Sequence, residues 1–409
     1  MTSTLFKNAL VLDTEAGTIL GERDVLIESG RIKEVSETSL TAEDARVVDL
    51  AGAVLMPGLC DAHVHVTVAT PNFAELRRWS PYYVTARASK ILGDMINRGF
   101  TTVRDAGGAD YGLALAVEEG YLVGPRILYS GKALSQTGGH GDVRGRGEND
   151  TGDCYCRPGL GRICNGVAEV RQAARDEIRK GAHQIKIMIA GGVSSPTDPV
   201  VNNQFSLDEI TASVEEAANG HTYVMAHAYT GESIRRGLEC GVRSFEHGNL
   251  LDPGTAAMMA DKAAFLVPTM ATYVALARDG IAAGLPAELH AKIGNLQEKG
   301  IESIEMAYRA GVKIVYGTDL LGDLHWHQTS EFATRAEVQT NSEVIQSATV
   351  TAADLFNMEG DIGVVAPGAR ADLIVVDGNP LDDLGLLQGQ GEHLKAVMKD
   401  GAILVDRLR

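Results

Sequence analysis

Two histidines one residue apart, His63 and His65, end the short apolar run that begins at Gly58. Pro57-Gly58 opens the run, and its composition predicts a strand over 59–66. Residues two apart on a strand point to the same side, so both imidazoles would leave the sheet together and could hold one metal ion. An H-x-H pair is weak evidence by itself, because two histidines can meet by chance on a solvent-facing strand. Four further residues of ligand type follow, each near the end of its own predicted strand: Lys186, His227, His247 and Asp319. Each interrupts or ends an apolar stretch, a costly position for a polar group unless it is paired, and one that suits a metal ligand. Taken singly, His227 and His247 read as hydrogen-bonded core histidines, Asp319 as a helix N-cap and Lys186 as a solvated cation. Their placement at successive strand ends is what chance does not supply.

The elements that must carry these residues are legible as a repeat. Eight strand candidates run through the middle of the chain, over 59–66, 101–106, 126–131, 184–189, 223–228, 244–247, 264–268 and 313–317. Helical stretches separate them, including 84–98, 167–180 and 206–219, the last opened by the capping-box pattern Ser206-Leu207-Asp208-Glu209. Eight βα repeats are the number that closes a barrel, so the expected fold is α/β: a (β/α)8 TIM-type barrel. Both chain ends read as strands, over 8–12, 24–28 and 31–35 at the start and 371–377, 394–398 and 401–405 at the end. Neither block is long enough for a core of its own. They are expected to pair into a small flanking β-sandwich, with residues 1–57 and 361–409 forming the sandwich and 58–360 the barrel. The longest loops, 132–166 and 190–205, follow predicted strands and so fall on the barrel face where active sites are built.

Composition bounds the partners. The chain has 409 residues and a formal net charge of −17, which argues against nucleic acid or an anionic membrane as partner. No stretch approaches the roughly 18 continuous apolar residues of a membrane helix, and the start of the chain lacks a signal-peptide pattern. Five cysteines are present: Cys60, Cys154, Cys156, Cys164 and Cys240. The cluster at 154, 156 and 164 lacks C-x-x-C spacing and an evident fourth ligand, so free thiols in a reducing cytoplasm are expected rather than a structural zinc. A homo-oligomer is expected.

At this point the chain resembles the amidohydrolase superfamily over nearly its whole length. Met56-Pro57-Gly58-Leu59-Cys60-Asp61-Ala62-His63-Val64-His65 and Gly368-Ala369-Arg370-Ala371-Asp372-Leu373-Ile374-Val375-Val376-Asp377 carry the likeness, together with the order H-x-H, Lys, His, His, Asp. Within it, the chain is similar to the imidazolonepropionase-related branch that contains metal-dependent prolidases, lysine/arginine carboxypeptidases and ochratoxin-type amidases. The stretches Ser130–Asp142 and Lys186–Pro199 look like those peptidases. The resemblance implies two divalent metal ions, zinc first among them. His63, His65 and Asp319 would hold the more buried ion, and His227 and His247 the more exposed one. Lys186 would bridge them as a CO2-derived carbamate, since an ammonium has no lone pair to offer. It further implies a metal-bridging hydroxide as nucleophile, with Asp319 carrying the proton to the leaving amine.

The same resemblance gives His140 and Tyr229 substrate-facing roles, with His140 also counted among the catalytic residues. His140 lies in a glycine-rich loop, and Tyr229 shares a strand side with His227. Both would donate to a carbonyl or a terminal carboxylate, whereas a loop-stabilising histidine and a packed aromatic are the bland alternatives. Arg144 and Arg146 could strengthen that field but read as surface residues. The expected substrate is a small peptide or N-acyl amino acid cleaved before its C-terminal residue, with Xaa-Pro preferred. Lysine/arginine-type carboxypeptidase and ochratoxin-like amidase activity stand as alternatives, imidazolonepropionase behind them, and a metal-free scaffold as the non-enzymatic rival. His183 and His221, at strand starts, read as structural, and His290 and His393 as solvent-facing. His325-Trp326-His327 reads as a lid or wall of the pocket rather than a metal site.

Overall fold

The computed structural model describes residues 3–149 and 157–408; Cys154 and Cys156 lie outside them. Five strands open the chain: β1 (Ser3–Asp13), β2 (Thr18–Glu28), β3 (Arg31–Ser36), β4 (Ala45–Asp49) and β5 (Val54–Pro57). Three parallel strands follow, β6 (Leu59–Val64), β7 (Phe100–Asp105) and β8 (Arg126–Tyr129). Two short ones, β9 (Ala133–Ser135) and β10 (Gly161–Ile163), precede β11 (Ile185–Met188), β12 (Val224–Thr230), β13 (Ser244–Leu250), β14 (Phe265–Val267) and β15 (Lys313–Ile314). The chain ends in β16 (Leu373–Val376), β17 (Leu394–Lys399) and β18 (Ala402–Asp406).

All eight strand candidates of the middle section are present, as two parallel ladders: β6-β7-β8, and β10-β9-β11-β12-β13-β14-β15. The ladders do not join as one regular sheet. Individual bonds cross the two gaps instead. At one, the His183 amide donates to Tyr129 O (2.9 Å) and Gln184 Nε2 to Leu128 O (3.0 Å); at the other, Ala62 N donates to Tyr316 O (2.8 Å) and Asp319 N to His63 O (2.7 Å). The strand expected over 313–317 is regular for two residues only. Val315 N still donates to Leu266 O of β14 (2.9 Å), but Tyr316 N bonds to Ser347 O instead (3.0 Å). β9 and β10 lie in what the sequence suggested was one long loop; three-residue strands carry too little pattern to register.

The helices match the expected positions within a few residues. The first begins at Pro81 rather than Val84, because proline fits a helix's first turn, where its missing N–H is not needed. Ser206 caps the helix Leu207–Asn219 with both halves of the capping box formed.

Strands from the two ends share a single sheet in the order β18-β17-β16-β5-β1-β2-β3, with β4 on β1. The joint is β5 against β16, antiparallel from Leu373 opposite Pro57 to Val376 opposite Val54. Alternation gives this sheet two apolar faces. Val54, Met56, Ile374 and Val376 pack toward the helix Pro81–Asn97, while Val11, Leu55, Leu373 and Val375 gather with Phe6 and Ile27 in a separate core. Among the described residues no helix is long and apolar enough to cross a membrane.

Candidate active site

The C-terminal ends of the parallel strands converge on one small cavity of about 30 Å³, roughly the volume of one water. His63, His65, His140, Lys186, His227, Tyr229, His247 and Asp319 all line it. The rings form a continuous arc. His65 and His63 lie 5.2 Å apart between centroids, His63 and His247 5.2 Å, His247 and His227 4.6 Å, and His227 stacks on His140 at 4.1 Å. Asp319 reaches across, with Oδ1 3.4 Å from His63 Nε2 and 3.1 Å from His65 Nε2.

Local backbone explains how residues from different strands meet here. β12 and β13 place His227 opposite Glu246. Strict alternation would then turn His247 away from the cavity. It does not, because His247 adopts φ of +76°, and two more cavity-side positions share that left-handed backbone, Thr269 (+51°) and Asp319 (+53°). Such conformations are costly for residues with a side chain and gather where function requires them. Gly317 permits the final approach, since a Cβ there would fall 3.1 Å from His63 Cβ and 2.3 Å from Val267 Cγ1.

Each of the four inner imidazoles has one ring nitrogen tied outward. His63 Nδ1 meets Glu246 Oε2 (2.6 Å), His65 Nδ1 meets Gly107 O (2.9 Å), His227 Nε2 meets Gly191 O (3.0 Å) and His247 Nδ1 meets Thr269 Oγ1 (2.8 Å). The inner nitrogens are left for something else, and His63 Nε2 is buried without a hydrogen-bond partner. His63, His65 and Asp319 offer ligand atoms within 4.8 Å of one another. Outward-tied imidazoles and a carboxylate around an orphaned buried nitrogen are the donor set that a divalent ion takes.

The electrostatics follow from burial. Burial pushes the Lys186 ammonium down to about 8, against the pull of Glu246 and Asp319. His227 and His247 are held well below the ordinary imidazole value, by burial above all, and so favour the neutral, ligating form. Desolvation works against the charge of Asp319, which is only partly exposed, yet His63 and His65 hold its carboxyl well below the usual range.

Four residues that sequence reasoning passed over support this centre. Glu246, fully buried, accepts from Arg104 Nη2 (3.0 Å) and Ser244 Oγ (2.6 Å) as well as facing His63. Asp61 accepts from the His63 and Thr318 amides (3.1 Å each), joining β6 to the loop that carries Asp319. Thr269 orients His247, and Tyr273 donates to the Tyr229 hydroxyl (3.0 Å). A charged residue inside an apolar strand run, as at Arg104 and Glu246, was the available signal.

Other expectations divide. His325 does not line the cavity; it is buried behind His65, and burial pushes its pKa down to about 3. His327 bonds Asp279 Oδ2 (2.8 Å) instead of forming a lid, because a 3₁₀ turn over Gly322–His327 directs both rings away. His290 is half-buried rather than solvent-facing, donating to Ala277 O (3.2 Å), while His393 is exposed. His183 packs edge-on against Tyr129 and His221 is exposed, both outside the cavity. Arg144 folds back on Asp142 (Nε to Oδ1 2.7 Å) and Arg146 is exposed. Cys60, Cys164 and Cys240 are free thiols.

Comparison with known proteins agrees with the geometry. Residues 54–404 match the model of the amidohydrolase family. An ochratoxinase of Aspergillus niger is 34% identical over 349 residues, covering 82% of this chain and 72% of that protein. Among solved structures, a prolidase in complex with N-methylphosphonate-L-proline is 48% identical with a TM-score of 0.97, covering 99% of this chain and 100% of that one. A Xaa-Pro dipeptidase with bound methionine is 29% identical with a TM-score of 0.87, covering 98% and 99%.

Proposed function

The chain belongs to the amidohydrolase family, and from that premise we propose that it is a metal-dependent dipeptidase that hydrolyses Xaa-Pro and N-acyl-proline amides. It is an amide-bond hydrolase of the branch that holds prolidases and ochratoxin-type amidases. In this reading the two parallel ladders form one (β/α)8 barrel over 58–360, and the terminal strands of 1–57 and 361–409 flank it as one shared sheet rather than as the two-layered sandwich expected. The observation that carries the proposal is the convergence of six ligand-type side chains with His140 and Tyr229 on one cavity.

His63, His65 and Asp319 would hold one divalent ion and His227 and His247 a second, with Lys186 as a carbamate shared between them. Zinc suits this imidazole-rich set. When bound, such ions would polarise the scissile carbonyl and acidify water. The chain's own residues do the rest. Asp319 takes the proton of the attacking water as the C–O bond forms, and delivers it to the proline nitrogen as the C–N bond breaks. The products are the free N-terminal residue and proline. His140 and Tyr229 face the substrate's carbonyl oxygen and terminal carboxylate, and Tyr273, donating to Tyr229, leaves that phenol's proton for the substrate. Apolar walls from Phe73, Leu160, Met188 and Leu276 exclude water from the reacting bond.

Xaa-Pro substrates are favoured over peptides ending in lysine or arginine because Asp319 is the only carboxylate among the cavity's described lining residues, leaving none to pair a cationic side chain. The nearness of prolidase structures supports the same choice. A dipeptide panel varied at its C-terminal position tests it. Release of proline from Ala-Pro well above release of lysine from Ala-Lys supports the reading, and the reverse order overturns it.

A further inference from the structure

A second cavity, of about 560 Å³, lies between the helix Pro81–Asn97 and the 3₁₀ turn Gly322–His327, and shares no lining residue with the active-site cavity. Arg98, at the end of that helix, forms part of its wall. The side chain is buried at 2% exposure, yet among the described residues no carboxylate pairs with it. Two neutral amides hold it instead, Nε donating to Gln328 Oε1 (3.0 Å) and Nη1 to Gln390 Oε1 (2.9 Å). Each amide is oriented from behind, since Gln328 Nε2 donates to Asp61 Oδ2 (2.9 Å) and Gln390 Nε2 to Trp326 O (3.0 Å). Nη2 is buried with no partner, so both its protons are unused. Burial pushes the guanidinium down to about 10, which leaves it charged at neutral pH. A buried charge calls for a partner, because its lost hydration is otherwise uncompensated.

The rest of the wall says what that partner must be. Arg87 pairs with Asp323 (2.9 Å) and Lys90 with Asp94 (2.6 Å), both toward solvent at the mouth. Three cations against two carboxylates leave the cavity one positive charge, that of Arg98, in a chain of net charge −17. His325 brings a second donor. It is 3% exposed with both ring nitrogens unpartnered, and a neutral ring carries one N–H. Ile91 and the exposed Trp326 supply apolar surface. The volume lies far above one water's share of roughly 30 Å³ and within the range of small-molecule sites.

We propose that this cavity is a binding site for a small organic monocarboxylate. Its carboxylate takes the free Arg98 Nη2 and the His325 N–H, and its apolar body lies against Ile91 and Trp326. One negative charge matches the one unpaired cation. An inorganic ion would leave most of the volume, and the indole, without contact.

Benzoate and its neutral analogue benzamide are the probes, titrated by calorimetry into zinc-loaded protein. Crystals of the same protein soaked in 4-bromobenzoate locate the site through the bromine anomalous signal. The expected map has a carboxylate within hydrogen-bond distance of Arg98 Nη2 and the bromine beside Trp326. Water alone at Nη2, with the bromine signal absent or confined to the active-site cavity, overturns the proposal. In solution, benzoate is expected to bind at least about tenfold tighter than benzamide. Asp94→Asn, outside the active-site cavity, removes a like charge and should tighten benzoate by about 3- to 10-fold, whereas Lys90→Gln should weaken it by a similar factor. Arg98→Gln should remove the binding. Arg98 also braces Gln328 and Gln390, so if that variant does not fold, the two substitutions at the mouth decide the matter. Benzamide binding as tightly as benzoate, or a benzoate affinity that neither Asp94→Asn nor Lys90→Gln moves, contradicts the site.

Discussion

Glu246 Oε2 lies 2.6 Å from His63 Nδ1, with both side chains removed from solvent. The carboxylate accepts the Nδ1 proton, so His63 keeps its Nε2 lone pair for the cavity. Burial works against its charge, but Arg104 and then His63 hold the Glu246 carboxyl well below the usual range. Glu246→Gln should therefore weaken metal retention by roughly 10- to 100-fold, measured by competition with a chromophoric chelator. Glu246→Ala should also cost about 3–5 kcal/mol in urea denaturation, because it strands the buried Arg104 guanidinium.

Thr269 combines two effects that substitution separates. Its hydroxyl orients His247, and its backbone is left-handed at φ +51°. Thr269→Gly removes the hydroxyl and relieves the backbone; Thr269→Ala removes the hydroxyl and the γ-methyl but keeps a Cβ on the left-handed backbone. The glycine variant should melt higher than the alanine variant, while both lose metal to chelator equally fast.

Much of this was readable from the sequence, for physical reasons that name its limits. The eight parallel strands announce themselves as apolar runs because both their faces are buried. His63 and His65 were recognisable because period-two geometry survives even though the regular strand ends at Val64. His247 was placed on a strand end, but the turn that aims it inward is a backbone conformation that residue types do not reveal. Glu246 was hidden beside it, since its role depends on His63 and Arg104 arriving from other strands. His325 and His327 misled for the converse reason. An H-x-H pair aims both rings together on a strand, and here it lies in a 3₁₀ turn.

Lys186 gives a third prediction. Its amine is fully buried and pushed down to about 8 by that burial, so an apolar replacement removes a group costly to keep charged. Lys186→Met should fold with stability equal to or above wild type, while hydrolysis falls at least about 100-fold. For Lys186→Ala, added acetate should restore part of the activity by supplying an anion in the vacated space; enzyme assays with and without acetate check this.

Glu331 carries a pH dependence separate from turnover. Burial pushes its carboxyl up to about 7, even with Arg335 one helical turn away at 3.9 Å, while Oε2 accepts from the Ala271 amide (2.7 Å). A raised carboxyl binds its proton more tightly folded than unfolded. The stabilisation it contributes is present below about pH 4.5, declines as pH rises through the window to about 7, and is absent above. Glu331→Gln should flatten that part of the curve, so the variant gains on wild type by a few kcal/mol between those limits. Urea midpoints at a series of pH values check it.

Metal titration into chelator-stripped protein, followed by proline release from Ala-Pro, decides whether the six converging side chains form a hydrolytic metal centre. No release is expected without metal, and a rise that levels off at two equivalents of zinc per chain. Full activity in the stripped protein, or a bound metal that restores none of it, would contradict the assignment of His63, His65, Lys186, His227, His247 and Asp319 to a hydrolytic metal centre.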